Sequence, residues 1–178
     1  GTVNGATLGA DRHGVAGRGY SFDGVDDFID LNKSAYPVGL GSSLSFWINR
    51  DPSIADNTTL LVASNGNNFL RVHLFWSGVA YFDYGQGLTN PNRISFSSEA
   101  TDFDQWNHWA WTRDKPSNTL TIFKNGNLLK EDNSQSLQSS GNPFDISTFR
   151  ISSSSGSAHW KGILDELKIY NRALSADE

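Results

Sequence analysis

Carboxylates gather at two places in this sequence. The segment Y-S-F-D-G-V-D-D-F-I-D-L (residues 20–31) carries Asp23, Asp26, Asp27 and Asp30, and G-I-L-D-E-L-K-I-Y-N-R-A-L-S (residues 162–175) carries Asp165 and Glu166. Both are β-type runs whose apolar residues are interrupted by acids at a turn or strand end. If the first and last strands pair, as in closed β-sandwiches, Asp23 and its neighbours face Asp165 and Glu166. Like charges that close repel unless they are protonated or bridged by a cation, and hard oxygen ligands suit calcium. The expectation is a structural calcium ion that staples the two ends of the fold. Asp23 also has a plainer reading, as the cap of a turn at Gly24. Alternation sends Glu166 to the opposite sheet face from Asp165.

A second group of candidates comes from residues that share a non-core strand face. In residues 69–76, Leu70, Val72 and Leu74 make one apolar row, with Arg71 and His73 opposite. In residues 79–84, Ala80, Phe82 and Tyr84 oppose Tyr81 and Asp83. In residues 44–49, Leu44, Phe46 and Ile48 oppose Ser45, Trp47 and Asn49. A sheet face mixing Trp, Tyr, Arg, His, Asn and Asp is what a sugar needs, because pyranose C–H faces stack on aromatic rings and ring hydroxyls require short donors and acceptors. The candidate ligand contacts are Trp47, Arg71, His73, Tyr81, Asp83 and Trp160, the last as an exposed stacking platform after a serine-rich loop. The alternatives are sheet-face support for Trp47, and for Arg71 and Asp83 a cross-strand ion pair on a solvated face.

The elements that must position these residues are short β-runs with turn punctuation, the pattern of a sandwich or barrel. Strands are expected at residues 44–49, 69–76, 79–84, 93–96, 108–113, 119–124, 149–152 and 163–170. Asn125-Gly126 is the strongest hairpin signal. Residues 64–68 and 83–87 read as turns, and the serine-rich residues 152–157 as a long loop. No apolar 3.6-residue stripe is present, so helix should be minimal.

With 178 residues the chain fits one domain spanning residues 1–178. Aromatics at 12%, charged residues at only 19% and 17 glycines suit a β-rich fold with many turns. A net charge of −5 argues against general binding to nucleic acid or acidic lipid. No stretch approaches the roughly 20 apolar residues of a membrane span. Cysteine is absent, so disulfides give no reading of redox compartment, and methionine is absent too. The chain reads as a module cut from a longer, multi-modular protein.

Five segments in order, F-D-G-V-D-D-F-I-D-L, S-L-S-F-W-I-N, W-N-H-W-A-W-T-R-D, T-I-F-K-N-G and G-I-L-D-E-L-K-I-Y-N-R-A-L-S, resemble the laminin-G-like branch of the concanavalin-A-like lectin/glucanase jelly rolls. The lead-in N-G-A-T-L-G-A-D-R-H-G is similar to the version in secreted, multi-modular bacterial proteins. The resemblance implies an all-β sandwich of two antiparallel sheets, one concave and one convex. It also implies calcium held by Asp23, the Gly24 carbonyl and Asp165, and a packing role for Trp106 and His108.

The fold hosts enzymes, lectins and adhesion modules alike, so function must come from the site. Retaining glycosidases need two carboxylates about 5 Å apart, carried on this fold by E-x-D-x-x-E or a near variant. That pattern is missing: the only glutamates are Glu99, Glu131, Glu166 and Glu178. G-x-S-x-G and H-E-x-x-H are also missing. The expected function is a non-catalytic carbohydrate-binding module, monomeric, secreted or on a bacterial cell surface. It would be tethered to a catalytic domain that degrades polysaccharide. The alternative is an adhesion module. Arg50, Arg71, Arg93 and Arg113 are the arginines that could build a local basic site for an acidic sugar.

Overall fold

Period-2 alternation forces a strand to choose which of its two rows is buried, and here most strands choose the same way their sequence reads. The structure, a computed structural model, describes residues 1–37, 39–53, 57–64, 68–86, 92–137, 146–152 and 158–178, without the side chains of residues 68, 69, 85 and 86. The strands are β1 (Thr2–Asn4), β2 (Thr7–Gly9), β3 (Gly19–Asp23), β4 (Phe28–Asp30), β5 (Gly41–Arg50), β6 (Thr59–Ser64) and β7 (Asn68–Trp76). They continue with β8 (Val79–Gln86), β9 (Asn92–Ser97), β10 (Trp106–Asp114), β11 (Thr119–Lys124), β12 (Asn127–Asp132), β13 (Thr148–Ile151) and β14 (Lys161–Tyr170). Among the described residues helix is limited to two single 3₁₀ turns, Lys33–Ala35 and Ala100–Asp102.

The strands form two seven-stranded antiparallel sheets packed as a sandwich, the jelly-roll architecture expected. Sheet A runs β1-β4-β13-β6-β7-β8-β9 and sheet B runs β12-β11-β10-β5-β14-β3-β2. The first and last parts of the chain do pair, through β3 and β14. Every strand expected from the sequence is present. Asn125 and Gly126 both take positive φ (52° and 78°) and join β11 to β12, as a tight primed turn requires. One expected turn is corrected: β8 continues through Gln86, across most of the turn proposed at residues 83–87. Residues 65–67, 87 and 153–157, where the other turn and loop expectations fall, lie outside the described residues.

Aromatic contacts tie the two sheets together. Phe82 of β8 meets Trp111 of β10 edge-on at 5.0 Å, and Phe96 of β9 stacks on Trp109 of β10 at 5.1 Å. Trp160, at the entrance to β14, is also in this core. It is fully buried and edge-on to Phe22 at 5.7 Å, and its backbone N–H donates to Ser152 Oγ. The expectation of an exposed Trp160 platform is therefore corrected, because no face of that indole reaches solvent.

Two of the arginines proposed for a basic site are buried as well. Arg50 continues the inward row of Leu44, Phe46 and Ile48. Its guanidinium lies between Phe75 and Phe103, at 5.3 and 4.5 Å from their centroids, and Nε donates to the Leu74 carbonyl. Arg113 continues the row of Trp109 and Trp111 and stacks at 4.2 Å over Tyr84. Both brace the core edge and offer nothing to a ligand.

Trp160→Ala should cost about 3–5 kcal/mol of stability, read from the urea midpoint. A loss below about 1 kcal/mol would return the indole to the surface.

Candidate functional site

Four of the six expected ligand residues fall together on the outer face of sheet A. The antiparallel registers place His73 opposite Tyr81, Arg71 opposite Asp83, Asp83 opposite Arg93 and Tyr81 opposite Ser95. Asp83 is buried, and a carboxylate out of water must be paired. Arg93 supplies the pair in a fork, with Nε 2.5 Å from Oδ1 and Nη2 2.6 Å from Oδ2. The same guanidinium lies 4.3 Å from the Tyr81 ring centroid, while its side chain keeps 45% of its exposure. The Arg93 backbone is clamped in turn by Gln135, which accepts from its N–H and donates to its carbonyl. One edge of the guanidinium is thus spent on Asp83 and one face on Tyr81, which leaves the exposed remainder in a fixed position. Arg71 is half-buried beside this group.

His73 is buried under the same face. Its Nδ1 lies 3.2 Å from Thr59 Oγ1, and its ring meets Trp76 at 5.1 Å and Tyr81 at 6.4 Å, both edge-on. Burial holds its pKa below the ordinary imidazole value; Asp83 opposes the shift, while Arg71 and Arg93 add to it. Trp76 is 38% exposed and gives the face an aromatic surface. Simple alternation would send Trp76 to the other side of β7 from His73. The β7–β8 register shifts between His73 and Trp76, and Leu74 and Phe75 are both buried, so the irregularity turns Trp76 outward beside His73.

Trp47 belongs to the opposite side of the molecule, on the outer face of sheet B. It is half-buried between the His108 ring, 5.2 Å away, and the Arg12 guanidinium, 5.0 Å from its centroid. His108 Nε2 lies 2.8 Å from Ser45 Oγ, and burial lowers its pKa. These residues border a cleft of about 220 Å³ whose far wall is the C-terminal segment from Leu174.

The expected metal ligands are not brought together as a set. In the β3–β14 register Lys161, not Asp165, stands opposite Asp23. Asp165 is four residues further along β14, roughly 13 Å at strand rise. There it meets Arg12, whose Nη1 lies 3.4 Å from Asp165 Oδ2 and 2.8 Å from Glu166 Oε1. Glu166 reaches the same arginine because β14 is irregular between Asp165 and Lys168, and Glu166 itself has φ 48°. The expectation that alternation separates the two acids is corrected by that irregularity.

Around Gly24 a different carboxylate set gathers. Asp23, Asp26 and Asp27 each offer an oxygen, and these oxygens lie within 4.8 Å of one another. Asp23 Oδ1 also accepts from the Val25 N–H at 2.8 Å, which lowers its pKa, so it caps the turn as well. Asp27 is buried, accepts from the Asp23 N–H at 2.8 Å, and has its pKa raised by burial. Hard oxygen donors of this kind fit calcium better than a softer ion. Asp165 is no part of the cluster.

A two-sheet jelly roll with a polar-aromatic outer face defines a lectin-like β-sandwich. The chain belongs to the concanavalin A-like lectin/glucanases superfamily, whose laminin-G family profile matches residues 23–178. No curated protein sequence matches it. Among solved structures it is similar to the carbohydrate-binding module (CBM40) of the Ruminococcus gnavus IT-sialidase, with TM-score 0.73, 12% identity, 90% of this chain covered and 93% of that one. That module has also been solved with α2,3-sialyllactose bound. The chain is similar to the binding domain of botulinum neurotoxin DC in complex with SialylT (TM-score 0.71, 14% identity, 98% of this chain and 43% of that one). It is likewise similar to the NanB sialidase of Streptococcus pneumoniae (0.70, 18%, 89% and 26%). The chain thus spans under half the length of the toxin and NanB chains. At these identities the likeness is one of fold.

The buried His73 makes stability depend on pH. Its folded pKa is depressed, so its neutral form contributes stability above the unfolded value near 6.5, and that contribution is lost as pH falls through the folded pKa. Wild type should lose stability between pH 7 and 5 more steeply than His73→Gln, as measured by urea unfolding at each pH. Parallel curves would show that His73 protonates freely in the folded state.

Proposed function

We propose that this chain is a non-catalytic carbohydrate-binding module that engages acidic sugars through the outer face of sheet A. The observation that carries this reading is Arg93, forked onto buried Asp83 and laid over Tyr81 with its outer edge in solvent. A sugar carboxylate takes that edge, and the sugar ring packs on Trp76. Arg93 is held by Asp83 and Gln135 before any ligand arrives, so little side-chain entropy is lost on binding. The similarity to a module solved with a sialylated trisaccharide supports the ligand class. The overall charge of −5 does not oppose it, because the relevant field is local.

In this reading the module is secreted or displayed by a bacterium and acts as a monomer. It raises the local concentration of a tethered polysaccharide-degrading domain at its polymer, so weak individual affinity suffices. The non-catalytic reading draws on the likeness in fold to a carbohydrate-binding module over most of both chains. Calcium is structural and sits at the Asp23–Asp27 turn, with the Gly24 carbonyl kept as a proposed ligand, which revises the expected ligand set by leaving Asp165 out. The adhesion reading draws on Leu128 and Leu129, both exposed on the edge strand β12.

In calorimetric titration, α2,3-sialyllactose should bind and lactose should not. Arg93→Ala should weaken binding about 10- to 100-fold, the worth of a hydrogen bond to a charged group. Equal binding of both sugars, or an Arg93→Ala variant that binds like wild type, would remove this face from the function. For the metal, chelation should lower Tm by several degrees. Asp26→Asn should abolish that sensitivity and Asp165→Ala should preserve it; the reverse pattern would restore the Asp165 site.

A further inference from the structure

The cleft on the outer face of sheet B has the features of a binding site in its own right. Its floor is a patch of small residues: Ala110 and Ser45 are register partners, and Thr112 lies one row along. Larger side chains stand around that floor in register. Phe123 lies beyond Ala110, Lys168 beyond Ser45, and Trp47 and His108 form the adjoining row. The volume, about 220 Å³, falls below the roughly 300–1,000 Å³ of drug-sized pockets and suits one ring.

The fourth side is a strap rather than a strand. Ser43 Oγ donates to the Arg172 carbonyl and accepts from the Leu174 N–H, both at 2.9 Å. The Arg172–Glu178 fork then folds the segment against the cleft. The two acids at the rim are therefore engaged, Glu166 by Arg12 and Glu178 by Arg172. Lys168 touches Glu166 only at 3.4 Å, and its side chain is 55% exposed. The cleft thus offers an aromatic wall, a hydroxyl–imidazole pair and a cation at the scale of a single pyranose.

We infer that this cleft is a second saccharide site, holding one pyranose unit, and that the module is bivalent; this rests on the reading of the chain as a glycan-binding module. The sites lie on the outward faces of sheets that pack about 10 Å apart, so they point in opposite directions. A short oligosaccharide cannot span both, and the module would join two polymer chains or two distant stretches of one.

The test is a nitrogen-15 NMR titration with single monosaccharides, including galactose, N-acetylglucosamine, glucuronate and N-acetylneuraminate. The indole N–H signals of Trp47 and Trp76 report on the two faces separately. At least one monosaccharide should move Trp47 and the Ala110 amide. Ala110→Phe, which fills the floor from the solvent side, should weaken that response at least tenfold while leaving shifts at Trp76 unchanged. Lys168→Ala serves as a second variant that leaves the floor intact and should also weaken it. Shifts at Trp76 with none at Trp47 would overturn this site alone and leave the sheet A reading standing. Shifts at Trp47 that survive both variants would overturn the placement in the cleft. Silence at both indoles would overturn this site and the carbohydrate reading together.

Discussion

The packing of Phe82 on Trp111 and of Phe96 on Trp109 is the contact on which the arrangement of both outer faces depends. Aromatic pairs of this size dominate a sandwich core, and each belongs to a strand with period-2 geometry. Once Trp109 and Trp111 point inward, His108, Ala110 and Thr112 must point outward, and they do so beside Trp47 and Ser45. Once Phe82 and Tyr84 are inside, Tyr81 and Asp83 are outside. The chemistry on each face is therefore a by-product of which row the core claims. A one-residue slip of β8 or β10 would exchange the two sets entirely.

On sheet A the central device is a buried carboxylate forked by an arginine. Asp83 is unfavourable where it lies unless Arg93 neutralises it, and Arg93 is useful because that pairing fixes it. Tyr81 beneath and Gln135 behind remove the remaining freedom of the side chain and of its backbone. The His73 ring extends the same support toward Trp76. The result is a cation and an aromatic surface set in advance on a sheet, which is stiffer than a loop.

Irregularities in two strands account for much of what alternation alone misassigns. The shift between His73 and Trp76 brings a tryptophan to a face where an even spacing would not put it. The one between Asp165 and Lys168 gathers two acids onto Arg12, whereas it is the plain β3–β14 register, with Lys161 opposite Asp23, that keeps Asp165 from the turn acids it was expected to join. Bulges of this kind re-aim side chains, and they leave little trace in the composition of the strand. Arg50 and Arg113 are the opposite case. Both continue an inward apolar row, so their burial was legible from alternation, and only their charge pointed outward.

The all-β class, the positions of the main strands, the Asn125-Gly126 hairpin and the rows carrying Arg71, His73, Tyr81 and Asp83 were all readable along the chain. These follow from local properties: side-chain period, turn residues and β-propensity. Which strands are neighbours, and with that which residues meet, emerged only in the folded sandwich. Strand pairing set Lys161 opposite Asp23, put Trp160 in the core rather than on the surface, separated Trp47 from the sheet A residues, and matched Arg93 to Asp83. Pairing between distant strands is fixed by the fit of two whole sheet faces, a non-local condition that no window of the sequence contains.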